Sequence, residues 1–171
     1  ISYDAEAMQE CLIGYIEAYN DSELLLYSIT SRGIYDGYIV LKMEDISQLS
    51  YGGRFEKSAE ILYQMREIKH KPVSVKDDQI LYSLLNFSKK MGYVVLIETE
   101  VEILQGVLLD YIDYESETIC LNVLTDWGEE EGLCEIMIDK IRELSIDTQA
   151  AQDIRFLKEK AQKSKEKSVE M

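Results

Sequence analysis

The side chains best able to do chemistry stand together at Asp126-Trp127-Gly128-Glu129-Glu130-Glu131. Four carboxylates within six residues could hold a hard cation such as Ca²⁺ or Mg²⁺. Their spacing matches no cation-binding loop, so the cluster reads first as a solvated acidic turn, and no metal ligands are assigned. Trp127 is the chain's single tryptophan, and with Glu129 and Glu130 it could instead anchor a protein interface. Tyrosine is the other conspicuous type, with twelve against three Phe. Tyr15, Tyr19, Tyr27, Tyr35, Tyr38, Tyr51 and Tyr63 crowd the first part of the chain. Tyrosine suits strands and interfaces because it buries area while its hydroxyl stays wet. Ordinary strand usage accounts for most of them; a Tyr-lined groove for a partner would use Tyr19, Tyr35 and Tyr38. A stacking platform for single-stranded nucleic acid needs basic neighbours, which are few here.

Other routes to chemistry are closed by residue type. The one histidine, His70, sits in the polar stretch Lys69-His70-Lys71-Pro72, beside no nucleophile motif. The 33 acidic residues offer too many pairs for an acid–base couple to be picked out. Tyr51-Gly52-Gly53-Arg54 opens a helix and could hold an anion at its N-terminus, but two glycines read first as a turn. Three cysteines, Cys11, Cys120 and Cys134, are widely spaced and form no C-x-x-C pair, so they suggest buried thiols in a reducing cytosol. No catalytic residue and no cofactor is therefore expected.

The net charge of −15 argues against a duplex-binding protein, whose affinity rests on Lys and Arg. The charge is segmented. Residues 1–64 carry 4 basic and 11 acidic groups, and residues 93–148 carry 2 and 15, giving −7 and −13. Residues 65–92 carry 6 and 3, and residues 149–171 carry 6 and 4, giving +3 and +2. The sheet-forming stretches are thus acidic and the helical joints basic. This fits either internal complementarity or an acidic field offered to a basic partner. The start of the chain, Ile1-Ser2-Tyr3-Asp4-Ala5-Glu6, is too acidic for a signal peptide, and a first residue other than Met leaves a preceding segment open. No apolar run reaches the length of a membrane span.

The elements that must position these residues are written twice. Thr30-x-x-Gly33-x-x-Asp36-Gly37 recurs as Thr125-x-x-Gly128-x-x-Glu131-Gly132, shifted by 95 residues. Ile46, Leu49, Ser50 and Leu62 match Ile141, Leu144, Ser145 and Leu157 at the same shift. Upstream, Gly14 and Tyr19 match Gly106 and Tyr111 at a shift of 92, so three extra residues are expected within 113–117. Each copy reads as four short strands followed by a helix. The strands are residues 11–19, 24–30, 38–43 and 45–50, then 102–113, 118–124, 133–138 and 140–145. The helices are residues 54–68 and a segment capped by Asp147-Thr148. A further helix, residues 79–91, ends at Gly92 and leads into a strand at 93–98. Only the second copy has that helix before it, so either an N-terminal element lies outside this sequence or the helix packs between the copies.

The pattern Gly14-x-Ile16-x-x-Tyr19-Asn20, an apolar run, then Gly37 leading to Met43-x-Asp45-Ile46-x-x-Leu49, resembles the small Sm-like and SH3-like barrels. The resemblance implies α+β, mainly β architecture: two tandem small antiparallel barrels, each followed by a helix, with a connecting helix. The parts are residues 1–68, a linker 69–78, a second unit 79–163 and a frayed tail 164–171. The basic, Gly-containing RNA loops of Sm-like proteins have no match here, since the turns are Asn20-Asp21-Ser22-Glu23 and Glu44-Asp45. The expected function is a non-catalytic cytoplasmic module that binds a protein partner or a second copy of itself. Two other readings are an Sm-like binder of RNA or single-stranded nucleic acid through the helices, and an acidic nucleic-acid mimic that occupies a basic protein.

Overall fold

The computed structural model describes residues 2–3, 11–68, 72–76, 78–113 and 115–169. His70, the linker residues 69–71, the possible helix cap Asp77 and most of the acidic chain start lie outside them. The chain divides into two compact units, Ile1–Leu84 and Leu85–Met171, the division falling inside helix α2 (Ile80–Met91).

In the first unit, β2 (Ile13–Tyr19), β3 (Glu23–Ile29) and β4 (Tyr35–Lys42) form an antiparallel meander. A separate short ladder joins β1 (Ser2–Tyr3) to β5 (Ile46–Gln48), and α1 (Arg54–Met65) follows. The turn into β3 is set by Asn20, whose Oδ1 accepts the N–H groups of Ser22 and Glu23, both at 2.8 Å. Leu24 to Ile29 are all buried, because both faces of β3 are covered. On one face Leu24 and Leu26 stand opposite Leu41 and Ile39. On the other, Tyr27 stands opposite Tyr38.

In the second unit, β6 (Val94–Glu98), β7 (Ile103–Asp113), β8 (Thr118–Leu124), β9 (Glu130–Met137) and β10 (Glu143–Ile146) are all antiparallel. Their order is β10-β6-β7-β8-β9. Helix α3 (Gln149–Val169) follows, capped by Thr148, whose Oγ1 accepts the Ala151 N–H at 3.2 Å. It continues to Val169 across a segment expected to fray, since Lys, Glu and Gln are good helix formers.

These ladders correct the expected tandem barrels. In the first unit no described ladder leads from β4 back to β2. In the second, none joins β9 to β10. The strands make an open antiparallel sheet, and the mainly β character stands. Short strands at close spacing serve a meander as well as a barrel. What separates the two is whether the outer strands pair, and the hydrophobic pattern does not encode that. β9 pairs only with β8 among the described residues and is exposed along most of its length.

The repeat is nonetheless present in the geometry. The Thr30 N–H donates to Ile34 O at 2.8 Å, the Ile34 N–H returns to Thr30 Oγ1 at 3.2 Å, and the Gly33 N–H reaches Thr30 O at 2.9 Å. Ninety-five residues on, Thr125 with Glu129 and Gly128 makes the same three bonds at 2.8, 3.1 and 2.9 Å. Gly33 and Gly128 have φ of 68° and 76°, and a Cβ on either would strike helix backbone: Tyr63 and Leu62 of α1, or Lys158 and Ile154 of α3. Glycine is thus needed twice over, for the left-handed turn and for its close seat on the helix. Upstream, Gly14 stands opposite Ser28 and Gly106 opposite Val123, in both cases against the neighbouring strand's backbone.

The three extra residues are not all where the sequence placed them. Ile16 pairs Leu26 and Leu108 pairs Leu121, still at the shift of 92; Tyr19 pairs Leu24 and Ile112 pairs Ile119, now at 93. One added residue therefore enlarges an existing irregularity within β7, and the other two, Asp113 and Thr118, add one further pair at the hairpin's end.

Candidate functional site

Cavity formation in the first unit follows from how its parts end. β5 stops at Gln48, and Leu49-Ser50-Tyr51-Gly52 runs on to the Gly53 N-cap of α1. The beginning of β2 lies across from this segment. Between them opens a cleft of about 440 Å³, with residues 11–16 on one side, residues 49–52 and the first turns of α1 (Phe55, Glu56, Glu60) on the other, and Leu26 and Ile29 at its base. That volume falls in the range of ligand-binding clefts, roughly 300–1,000 Å³. The lining is mostly apolar, and much of it faces solvent: Leu49 and Phe55 are each 52% exposed, and Tyr51 is 90% exposed. Large apolar side chains gathered around a concavity mark a surface suited to a partner.

Its polar groups are few. Ser50 Oγ donates to Glu56 Oε1 at 2.8 Å. The Glu56 carboxyl is held below the usual carboxylate range, first by its own backbone N–H at the helix start, then by Ser50 and the Gly53 N–H. Glu56 thus already fills the place where an external anion at Gly52-Gly53 would sit. Tyr15 borders the cleft, and its hydroxyl is pushed up by burial, then by the nearby Glu60 carboxylate and Tyr63.

The tyrosines separate into two groups. Tyr15, Tyr27, Tyr35, Tyr38 and Tyr63 are packed ring against ring: Tyr27 stacks on Tyr35 at 4.9 Å between centroids and meets Tyr38 edge-on at 5.5 Å. The hydroxyls of Tyr27 and Tyr63 hydrogen-bond at 2.9 Å in the interior. Burial is the chief cause that lifts the Tyr27 hydroxyl far above the ordinary tyrosine range, followed by the Tyr63 hydrogen bond. Tyr38, expected in a partner groove, is buried, and Tyr35 is half-buried on the same strand. Tyr19 is exposed at the end of β2, outside the cleft lining.

In the second unit, Trp127 and Glu129 stand in the turn before β9 and Glu130 is the first residue of that strand; Trp127 is 74% exposed. The carboxylates there do not converge. Asp126 Oδ1 accepts a hydrogen bond from Gln105 Nε2 at 2.7 Å, and Glu130 pairs with Lys158 Nζ at 3.5 Å. Among the described residues no group of three or more His, Cys, Asp or Glu side chains is placed as a metal site. None of the three cysteines is in a disulfide; Cys11 is exposed at the cleft, and Cys120 is buried.

The sequence did not single out Leu49, Tyr51 or Phe55 as a surface. A usable signal was the difference between copies: residues 93–98 form a strand ahead of the second, while the described residues of the first offer only Ser2–Tyr3 at that place. No helix among the described residues is long and apolar enough to cross a membrane. No family model, no curated protein and no solved structure matches the chain.

Proposed function

We propose that this chain is a non-catalytic protein-interaction module that receives an apolar segment of another protein in the cleft of its first unit. One observation carries the reading: an open apolar concavity rimmed by Leu49, Tyr51 and Phe55, which a lone domain gains nothing by leaving wet. The acidic character of residues 1–64 suits a segment flanked by basic residues. A reducing compartment such as the cytoplasm is where the exposed Cys11 would persist as a thiol.

The test is selection from a random peptide display library with the wild-type chain and with Phe55→Asp. Apolar peptides are expected to be enriched by the wild type and lost with the variant. No enrichment, or enrichment indifferent to Phe55→Asp, refutes the reading. A salt-sensitive RNA shift blind to Phe55→Asp would move the function to the nucleic-acid alternative.

A further inference from the structure

We infer that β9 is the docking strand of the second unit, and that an extended, basic segment of another protein adds to it as a further strand. The inference is independent of the cleft in the first unit.

The sheet geometry supplies the site. Among the described residues β9 pairs with β8 alone. One irregularity, at Glu131, interrupts that ladder; from Gly132 to Met137 the register runs unbroken against Val123 to Thr118. In such a strand every second residue turns its N–H and C=O away from the partner, and that outward row is the template a further strand reads. Leu133 and Met137 share one face of the strand with Glu135 between them, because alternate residues point the same way. Leu133 is 71% exposed and Met137 52%. An added strand would lay its own side chains beside both and take their apolar area out of water.

The charge names the occupant. Glu130, Glu131 and Glu135 all lie on β9 and are exposed. Residues 93–148 carry 2 basic against 15 acidic groups, and one of those two, Lys140, pairs with Asp139 at 3.6 Å. The negative field is felt within the strand: the Cys134 thiol is pushed up, by burial first and then by Glu102, Cys120 and Glu135. A second β9 would bring carboxylates against carboxylates, and nucleic acid would be repelled. A strand with aliphatic side chains beside Leu133 and Met137 and Lys or Arg beside Glu135 meets both demands. Main-chain hydrogen bonds then give affinity, and the alternation of side chains gives choice.

The experiment uses the whole chain in dilute salt and a fluorescein-labelled peptide, Lys-Val-Thr-Arg-Thr-Val-Lys, read by anisotropy and by amide hydrogen exchange. Saturable binding is expected, with protection gained by the amides of residues 132–137. N-methylation of the first Thr and of Arg should weaken binding by about tenfold or more. Neighbouring N–H groups point to opposite edges of a strand, so one of the two methyls always faces β9. Glu131→Lys together with Glu135→Lys should lose the basic peptide and bind Glu-Val-Thr-Glu-Thr-Val-Glu instead; both side chains are exposed, and circular dichroism checks the fold. Phe55→Asp should leave binding unchanged. Equal binding of the methylated peptide, or no protection in residues 132–137, overturns the added strand. Binding abolished by Phe55→Asp places the peptide in the cleft of the first unit and overturns the inference. Absence of binding overturns it as well and leaves the reading of the cleft standing. A wild-type dimer in sedimentation that Leu133→Lys dissociates gives β9 to a second copy, which also overturns it.

Discussion

Gly92 and Gly128 lie in the same unit with φ of 63° and 76°, so each must adopt the left-handed conformation. Their surroundings differ. A Cβ on Gly92 meets nothing within 4 Å, while one on Gly128 would lie about as close to Lys158 N as a hydrogen-bonded atom, at 2.5 Å, and 2.8 Å from Ile154 O. Neither is the far end of a flexible side chain; both are helix backbone, so α3 itself must shift. Gly92→Ala should therefore cost only the conformational strain, roughly 1–2 kcal/mol. Gly128→Ala adds forced overpacking, typically about 1–3 kcal/mol, for a total of about 2–5 kcal/mol. At roughly 2–4 °C per kcal/mol for a chain of this size, Gly128→Ala should lower the midpoint by about 4–20 °C and Gly92→Ala by about 2–8 °C. Thermal unfolding followed by circular dichroism gives the difference between the two, which isolates the turn's contact with the helix. Gly33→Ala should behave like Gly128→Ala in its own unit. A Gly128→Ala midpoint no lower than that of Gly92→Ala would refute the close seating and, with it, the paired role of the repeated glycines.

Thr30→Val and Thr125→Val should each cost about 1 kcal/mol by removing the side-chain oxygen that accepts turn N–H groups, and equality of the two losses in denaturant titration checks that the turns are equivalent. Tyr63→Phe removes the 2.9 Å hydrogen bond to the Tyr27 hydroxyl in the interior and should cost about 0.5–1.5 kcal/mol in a urea titration. Because the folded state raises the Tyr27 and Tyr15 hydroxyls above the ordinary value of 10.0, the folded state binds more protons than the unfolded one in alkali. Stability contributed by these tyrosines is complete below pH 10 and declines above it; tyrosinate absorbance should appear in step with unfolding, and an independent titration of the folded state with normal midpoints would contradict this. Ser50→Ala should move the Glu56 carboxyl partway back toward the ordinary range in an NMR titration, since its own backbone N–H remains.

The strands and helices were readable because their signals are local. Asn20 makes a turn through its own side chain, Gly33 and Gly128 mark left-handed positions, and the Leu24 to Ile29 run is long enough for one buried strand. Closure was not readable, because it depends on pairing between strands distant in sequence, and β9 carries the same alternating residues whether or not it finds a neighbour. One residue of the insertion in the second copy was placed too late because a residue added inside β7 is absorbed by an irregularity and leaves no turn residue behind. For the cleft, Leu49, Tyr51 and Phe55 look like any core residues in the sequence. Their exposure is set by packing against neighbours distant in sequence, not by residue type. Tyr38 shows the converse: a side chain suited to a surface is consumed by packing on Tyr27.

β9 bears Glu130, Glu131 and Glu135 along a rim whose outer main chain meets no further strand among the described residues. Ionised carboxylates on such a rim repel a second copy that tries to extend the sheet, which is a known safeguard against runaway stacking. Salt screens that repulsion while leaving the outer main chain and the outward Leu133 in place. Storage in dilute salt should therefore keep molecules dispersed, whereas concentrated salt should promote stacking along this border.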